Sequence, residues 1–194
     1  MDVAKMETAI RTFLEGVDER FAGDDLEGTP ARVARAWSED LLGGYRLDPL
    51  AELTWSPVEP GGGPIVVRDL RFVSMCVHHL LPFFGVAHAA YLPGIRQAGL
   101  SKIGRIVDAH ARRLQTQERL TAAIVATLDT VLSPRGALAL LRAEHTCMTC
   151  RGVRKVDSRM ITLASSGAWS DDASARREIL SLIAEHAGDP ASEG

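Results

Sequence analysis

Two β-rich runs, Ile65 to Met75 and Phe83 to Leu92, precede two helical patterns, and two further strand candidates follow them. The first helical stripe is Ile103, Ile106, Val107, His110/Ala111 and Leu114; the second is Leu120, Ile124, Leu128 and Val131. Three- and four-residue spacing of this kind buries one face of a helix. The later strand candidates run from Ala137 to Cys147 and from Arg159 to Ser165. The order strand-strand-helix-helix-strand-strand predicts an α+β fold with a mainly antiparallel sheet. A final helix is expected from about Asp171 to Ala187, capped by Ser170, with Asp171 and Asp172 suiting its positive end.

Ahead of this block, Val3, Met6, Ile10, Phe13, Val17 and Phe21 mark one amphipathic helix. Thr29-Pro30 reads as an N-cap followed by Pro at the first helical position, opening a helix with Val33, Trp37 and Leu41 on one face. Pro57 to Pro64 encloses Gly61-Gly62-Gly63 and reads as a linker. The expected organisation is a helical segment (1–56), a linker (57–64), a main domain (65–187) and a flexible tail (188–194). With 194 residues, 46% of them hydrophobic and 24% charged, the chain has the composition of a globular protein able to bury a core. A net charge of −3 provides no global field for nucleic acid, so an anion site must be local. Three cysteines are too few for a disulfide framework and fit a reducing compartment. The N-terminus lacks the apolar run of a signal peptide, and Pro82, Gly85, His88 and Pro93 break the uncharged stretch from Leu80 to Ile95. The expectation is a soluble cytoplasmic protein.

Cys76-x-x-His79 and Cys147-x-x-Cys150 each have the spacing of a metal-ligand pair. Nearly seventy residues separate them, too many for a finger module, so any site must be assembled by the fold. Three readings stand on pattern alone. All four residues close a structural zinc; three bind zinc and leave one position open for water; or they are buried thiols. His145 and Cys147, two apart in a strand candidate, are expected on one sheet face, and His78 sits beside His79. Two spare imidazoles near a metal suit proton shuttling, whereas the plainer role is to hydrogen-bond a ligand. Ser101-Lys102-x-x-Arg105 opens a helix whose free N–H groups suit phosphate, and Arg151-Gly152 and Arg154-Lys155 follow the last cysteine. Such charges are more often solvated surface. Gln117-Glu118 opens the second helix, where a carboxylate complements the dipole. It is also suited to accept the ring N–H and exocyclic amine of guanine together. His88, His110 and His186 have no partner motif and read as structural.

Together Cys76-Val77-His78-His79, Gly99-Leu100-Ser101-Lys102-x-x-Arg105, Gln115-Thr116-Gln117-Glu118-Arg119-Leu120-Thr121 and His145-Thr146-Cys147-Met148-x-x-Arg151-Gly152 resemble the GTP cyclohydrolase I family, with Thr29-Pro30-x-Arg32-Val33 similar to its N-terminal signature. The resemblance implies the tunnelling fold, four antiparallel strands with two helices inserted between the second and third. It also implies a homodecamer of two face-to-face pentameric rings. It assigns zinc to Cys76, His79 and Cys147, catalysis to His78, His145 and Ser101, and GTP contacts to Glu118, Gln117, Lys102, Arg105, Arg151 and Arg32. Arg32 is expected to reach the triphosphate from a neighbouring subunit. The implied reaction converts GTP to 7,8-dihydroneopterin triphosphate and formate, a step in pterin biosynthesis whose product feeds folate or a specialised pathway.

Val77 stands where the family usually carries Glu. Its absence is compatible with a slower enzyme or with a paralogue serving a specialised pathway. The competing readings are a non-catalytic paralogue with a structural Cys₃His zinc and a tunnelling-fold enzyme acting on another pterin or deazapurine.

Overall fold

The computed structural model describes residues 1–17, 26–59 and 61–184. Helix α1 (Val3–Val17) has no buried residue and packs on α2 (Thr29–Ala36). Phe21, expected to continue the α1 stripe, lies outside the described residues, as do His186 and the expected tail. Thr29 is the first residue of α2 and not its cap; its hydroxyl accepts from Arg32 Nη2 at 2.7 Å. A π-helical turn (Trp37–Leu41) and a 3-10 turn (Gly43–Arg46) lead to α3 (Pro49–Glu52), which Asp48 caps through Leu50 N. Strand β1 (Trp55–Pro57) pairs with β4 (Arg96–Ala98), so the segment ahead of the expected linker is tied to the main domain.

The main sheet is built from β2 (Ile65–Cys76), β3 (Pro82–Leu92), β6 (Gly136–His145) and β7 (Met160–Gly167), antiparallel neighbours in that order. Between β3 and β6 the chain forms α4 (Leu100–Ala111), β5 (Leu114–Gln115) and α5 (Gln117–Leu132). Leu114, expected to end the α4 stripe, instead starts β5, which pairs in parallel with Met75 and Cys76 at the sheet edge. The expected fourth strand starts at Met160, and the third ends at His145, before Cys147. A short helix α6 (Thr146–Thr149) carries Cys147. The final helix divides into α7 (Ala168–Asp171) and α8 (Ala173–Ala184), and Asp172, not Ser170, caps α8 by accepting from Ser174 N and Ala175 N.

Alternation along the strands sorts the core onto two faces. Phe72, Phe83, Ala89, Tyr91, Ala139 and Leu141 meet Ile103, Ile106, Leu120, Ile124 and Leu128 from α4 and α5. On the opposite face Ala90 and Leu138 meet Trp169, Ile179 and Ile183 from α7 and α8. Each fully buried Leu or Ile contributes about 1.5–3 kcal/mol relative to exposure. In β2 the register shifts between Val67 and Leu70, with Asp69 in the left-handed region at φ 58. The amide of Asp69 donates to His88 Nδ1 at 3.3 Å, giving that buried histidine a structural role.

His110 joins α4 to α5, its Nε2 2.8 Å from Thr127 Oγ1. Burial, reinforced by Arg113, lowers its pKa from 6.5 to about 4. Between those values the unfolded chain binds a proton that the folded chain refuses, so this group's contribution to stability is lost as pH falls from 6.5 to 4. His110→Gln is therefore expected to melt below the wild type at pH 7, with the gap narrowing toward pH 4. A gap that stays constant across a pH series of thermal melts would show that His110 does not titrate in this window.

Candidate active site

The site begins where β2 ends. Cys76 is the last residue of β2, and the chain reverses through Val77 to Leu80 before β3. Cys76 and Leu81 close the reversal with a Cys76 N–H donated to Leu81 O at 2.9 Å, and Leu80 N donates to Cys76 O at 2.9 Å. Leu80 adopts φ 54, a left-handed conformation costing a branched side chain about 1–3 kcal/mol, which the surrounding bonds hold in place. This tight turn folds both histidines back over the strand end: Cys76 Sγ lies 3.9 Å from Nδ1 of His78 and 3.9 Å from Nδ1 of His79. Val77 donates its amide to Gln115 O at 3.0 Å.

Cys147 reaches the same point from the end of β6. Thr146 starts the α6 turn, with its hydroxyl donating to Pro82 O at 2.6 Å and its carbonyl accepting from Cys150 N at 2.9 Å. The donor atoms of Cys76, His79 and Cys147 all lie within 4.8 Å of one another. Donors around a tetrahedral zinc stand roughly 3.5 Å apart, so this set needs only a small contraction to hold one. Two sulfurs and an imidazole also match the chemistry zinc selects. Burial and the neighbouring Cys76 push the Cys147 thiol up, while Arg151 opposes them. Cys150, exposed at the end of α6, stands outside this donor set.

His145, the last residue of β6, is held on two sides. Its ring stacks on Phe83 with centroids 4.6 Å apart and an interplanar angle of 3°. Its Nε2 lies 2.8 Å from Gln117 Oε1. Burial lowers its pKa, and the Glu118 carboxylate pulls in the opposite direction, which puts Glu118 electrostatically beside His145. Consecutive helix residues point about 100° apart, so at the start of α5 Glu118 faces solvent while Gln117 is wholly buried. The Gln117 side-chain amide is committed to protein partners. Neither that commitment nor the Phe83 stack was found from the sequence. Inward-facing residues on paired strands carry the signal, but the pairing itself is non-local.

The remaining expected site residues lie elsewhere in this chain. Ser101 and Gly104 on α4 line a cleft of about 520 Å³ with Val66 to Leu70 of β2. From Leu70 to Cys76 the strand advances roughly 20 Å, so Ser101 and the donor cluster occupy different ends of the sheet. Lys102 is partly buried beside Ser101, and Arg105 Nη1 lies 3.6 Å from Glu52 Oε2. The Arg32 guanidinium, on α2, donates to Thr29 Oγ1. The structure therefore gathers Cys76, His78, His79, Glu118, His145, Cys147 and Arg151 at one end and Ser101, Lys102 and Arg105 at the other. No helix among the described residues is long and apolar enough to cross a membrane.

The model of the family described as GTP cyclohydrolase I matches residues 6–184. GTP cyclohydrolase 1 of Streptococcus agalactiae serotype Ia is 44% identical over 180 residues, 92% of this chain and 96% of its own length. GTP cyclohydrolase 1 of Listeria monocytogenes serotype 4b is 44% identical over 184 residues, 94% of this chain and 97% of its own length. The crystal structure of the archaeosine synthase QueF-Like in the apo form aligns at 13% identity and a TM-score of 0.47, over 56% of this chain and 97% of that one.

Proposed function

This chain belongs to the GTP cyclohydrolase I family, and from that premise we propose that it hydrolyses GTP to 7,8-dihydroneopterin triphosphate and formate in the cytoplasm. The observation that carries the reading is the convergence of Cys76, His79 and Cys147 with Glu118 and His145, brought together from residues far apart in the chain. Cys76, His79 and Cys147 would hold zinc. Zinc bound there supplies Lewis acidity, which brings the pKa of water toward neutrality. Glu118 accepts the ring N–H and the exocyclic amine of guanine, fixing the purine by its edge. His145 and His78 move protons, one donating to N7 so that C8 becomes electrophilic, and both serving the later steps that release C8 as formate. The opened ribose then rearranges with help from Ser101 before the second ring closes. Arg151, Lys102, Arg105 and Arg32 neutralise the triphosphate.

A purine and its ribose are directly bonded, yet Glu118 and Ser101 stand at different ends of one chain's sheet. That separation supports sites shared between copies, as in the homodecamer the resemblance implies. The order of the four long strands, with α4 and α5 between the second and third, supports the tunnelling-fold reading. Cys150, outside the donor set, favours a three-residue zinc over a closed four-residue one. Purified protein incubated with GTP is expected to release formate and to give a pterin that fluoresces after oxidation, all from a species that light scattering finds to be multimeric. Absence of formate from zinc-loaded protein, or full activity in a monomer, overturns the corresponding half of the reading.

A further inference from the structure

Gln117 is a wholly buried polar side chain with partners at both ends of its amide. It is 0% exposed, and its Nε2 lies 3.2 Å from Leu141 O, 3.1 Å from Met160 O and 3.0 Å from Thr162 Oγ1. Two of these partners are backbone carbonyls, which accept and never donate. The amide nitrogen must therefore face them, because the flipped amide would set its oxygen against both. A second constraint agrees. Thr121 Oγ1 donates to Gln117 O at 2.7 Å, so the 2.6 Å contact between Thr121 and Thr162 takes its proton from Thr162, whose oxygen remains free to accept from Gln117. Every hydroxyl and amide in the group then has one consistent direction.

With its nitrogen spent, Gln117 offers His145 only Oε1, an acceptor, 2.8 Å from Nε2. A neutral imidazole has one N–H, and here it must be on Nε2. The Phe83 stack stops the ring from tilting away. Among the described residues Nδ1 has no hydrogen-bond partner. We propose that Gln117 is a positioning residue that fixes His145 as the Nε2–H tautomer and so assigns proton exchange with the substrate to Nδ1. This inference rests on the reading of His145 as a proton-transfer residue.

The first test is spectroscopic and needs no substrate. Zinc-loaded protein labelled with 15N-histidine, held at a pH where His145 is neutral, is expected to show His145 protonated at Nε2 and bare at Nδ1, the signal being assigned by its loss in His145→Gln. A His145 protonated at Nδ1 overturns the proposal. The second test is kinetic. Gln117→Leu, close in volume, is expected to mix the two tautomers and to lower kcat by about 10- to 100-fold, the usual effect of removing the partner that orients a working histidine. KM should change by less than about threefold, since uniform binding is untouched. Thr162→Val removes a bond from the same network but leaves Oε1 on His145, so it should keep both the tautomer and kcat. Equal kcat losses in the two variants, or an unchanged tautomer in Gln117→Leu, would assign Gln117 a packing role only. If Gln117→Leu does not fold, the wild-type spectrum still decides. An active His145→Gln would sink the proton-transfer reading itself, whatever tautomer the spectrum reports.

Discussion

Cys147→Ser is expected to lose zinc and formate release together, whereas Cys150→Ser keeps about one zinc per subunit and most of the activity. The two cysteines are three residues apart, on and just after one helical turn, yet only Cys147 joins the donor set with Cys76 and His79. A hydroxyl is a far poorer ligand for zinc than a thiolate, so serine at 147 removes one of three protein donors. The exposed Cys150 has no such duty. Zinc content measured beside formate release for each variant decides the matter. Loss of zinc from Cys150→Ser would make the site a closed four-residue one and remove the case for an open coordination position.

Glu118→Gln is expected to cost about 10⁴-fold or more in kcat/KM for GTP, the penalty seen when a site built for specific hydrogen bonds is mispaired. Guanine offers two donors on the edge concerned, and the amide answers one of them with a donor of its own. Glu118 is exposed at the start of α5, so the fold should survive the change and thermal melting should stay close to that of the wild type. The adjacent charge matters too: Glu118 is the group that opposes the burial-driven lowering of the His145 pKa. Near-normal kcat/KM in this variant would remove Glu118 from recognition of the base.

The elements built on local periodicity were legible in the sequence. The strands β2 and β3 and the helices α4 and α5 lie close to their expected ranges, because apolar spacing acts within a few residues. The misread elements were settled by distant partners. Leu114 continues the apolar stripe of α4, but Met75 recruits it into a parallel pair. Thr146-Cys147 extends a convincing strand, but the carbonyl of Pro82 takes the Thr146 hydroxyl and turns the chain. The expected alignment of His145 and Cys147 on one sheet face therefore does not hold. Their proximity to the same site arises from a strand end followed by a helical turn. Motifs singled out Cys76, His79 and Cys147, which the structure brings within 4.8 Å of one another, while Gln117 and Glu118 show the opposite limit: adjacent letters in one motif, one in the core and the other in solvent.

The two-ended layout of the sheet also bears on inheritance. If sites are shared between copies, each subunit contributes its Cys76 end to one site and its Ser101 end to another. A lesion at one end then leaves the other end serviceable. Two alleles, one damaged near Cys147 and one near Ser101, would complement within mixed assemblies, wherever a sound end of one product meets the sound end of the other. Two alleles damaged at the same end would not. With sites shared in this way, the geometry of a single strand sets which pairs of mutations rescue each other in trans.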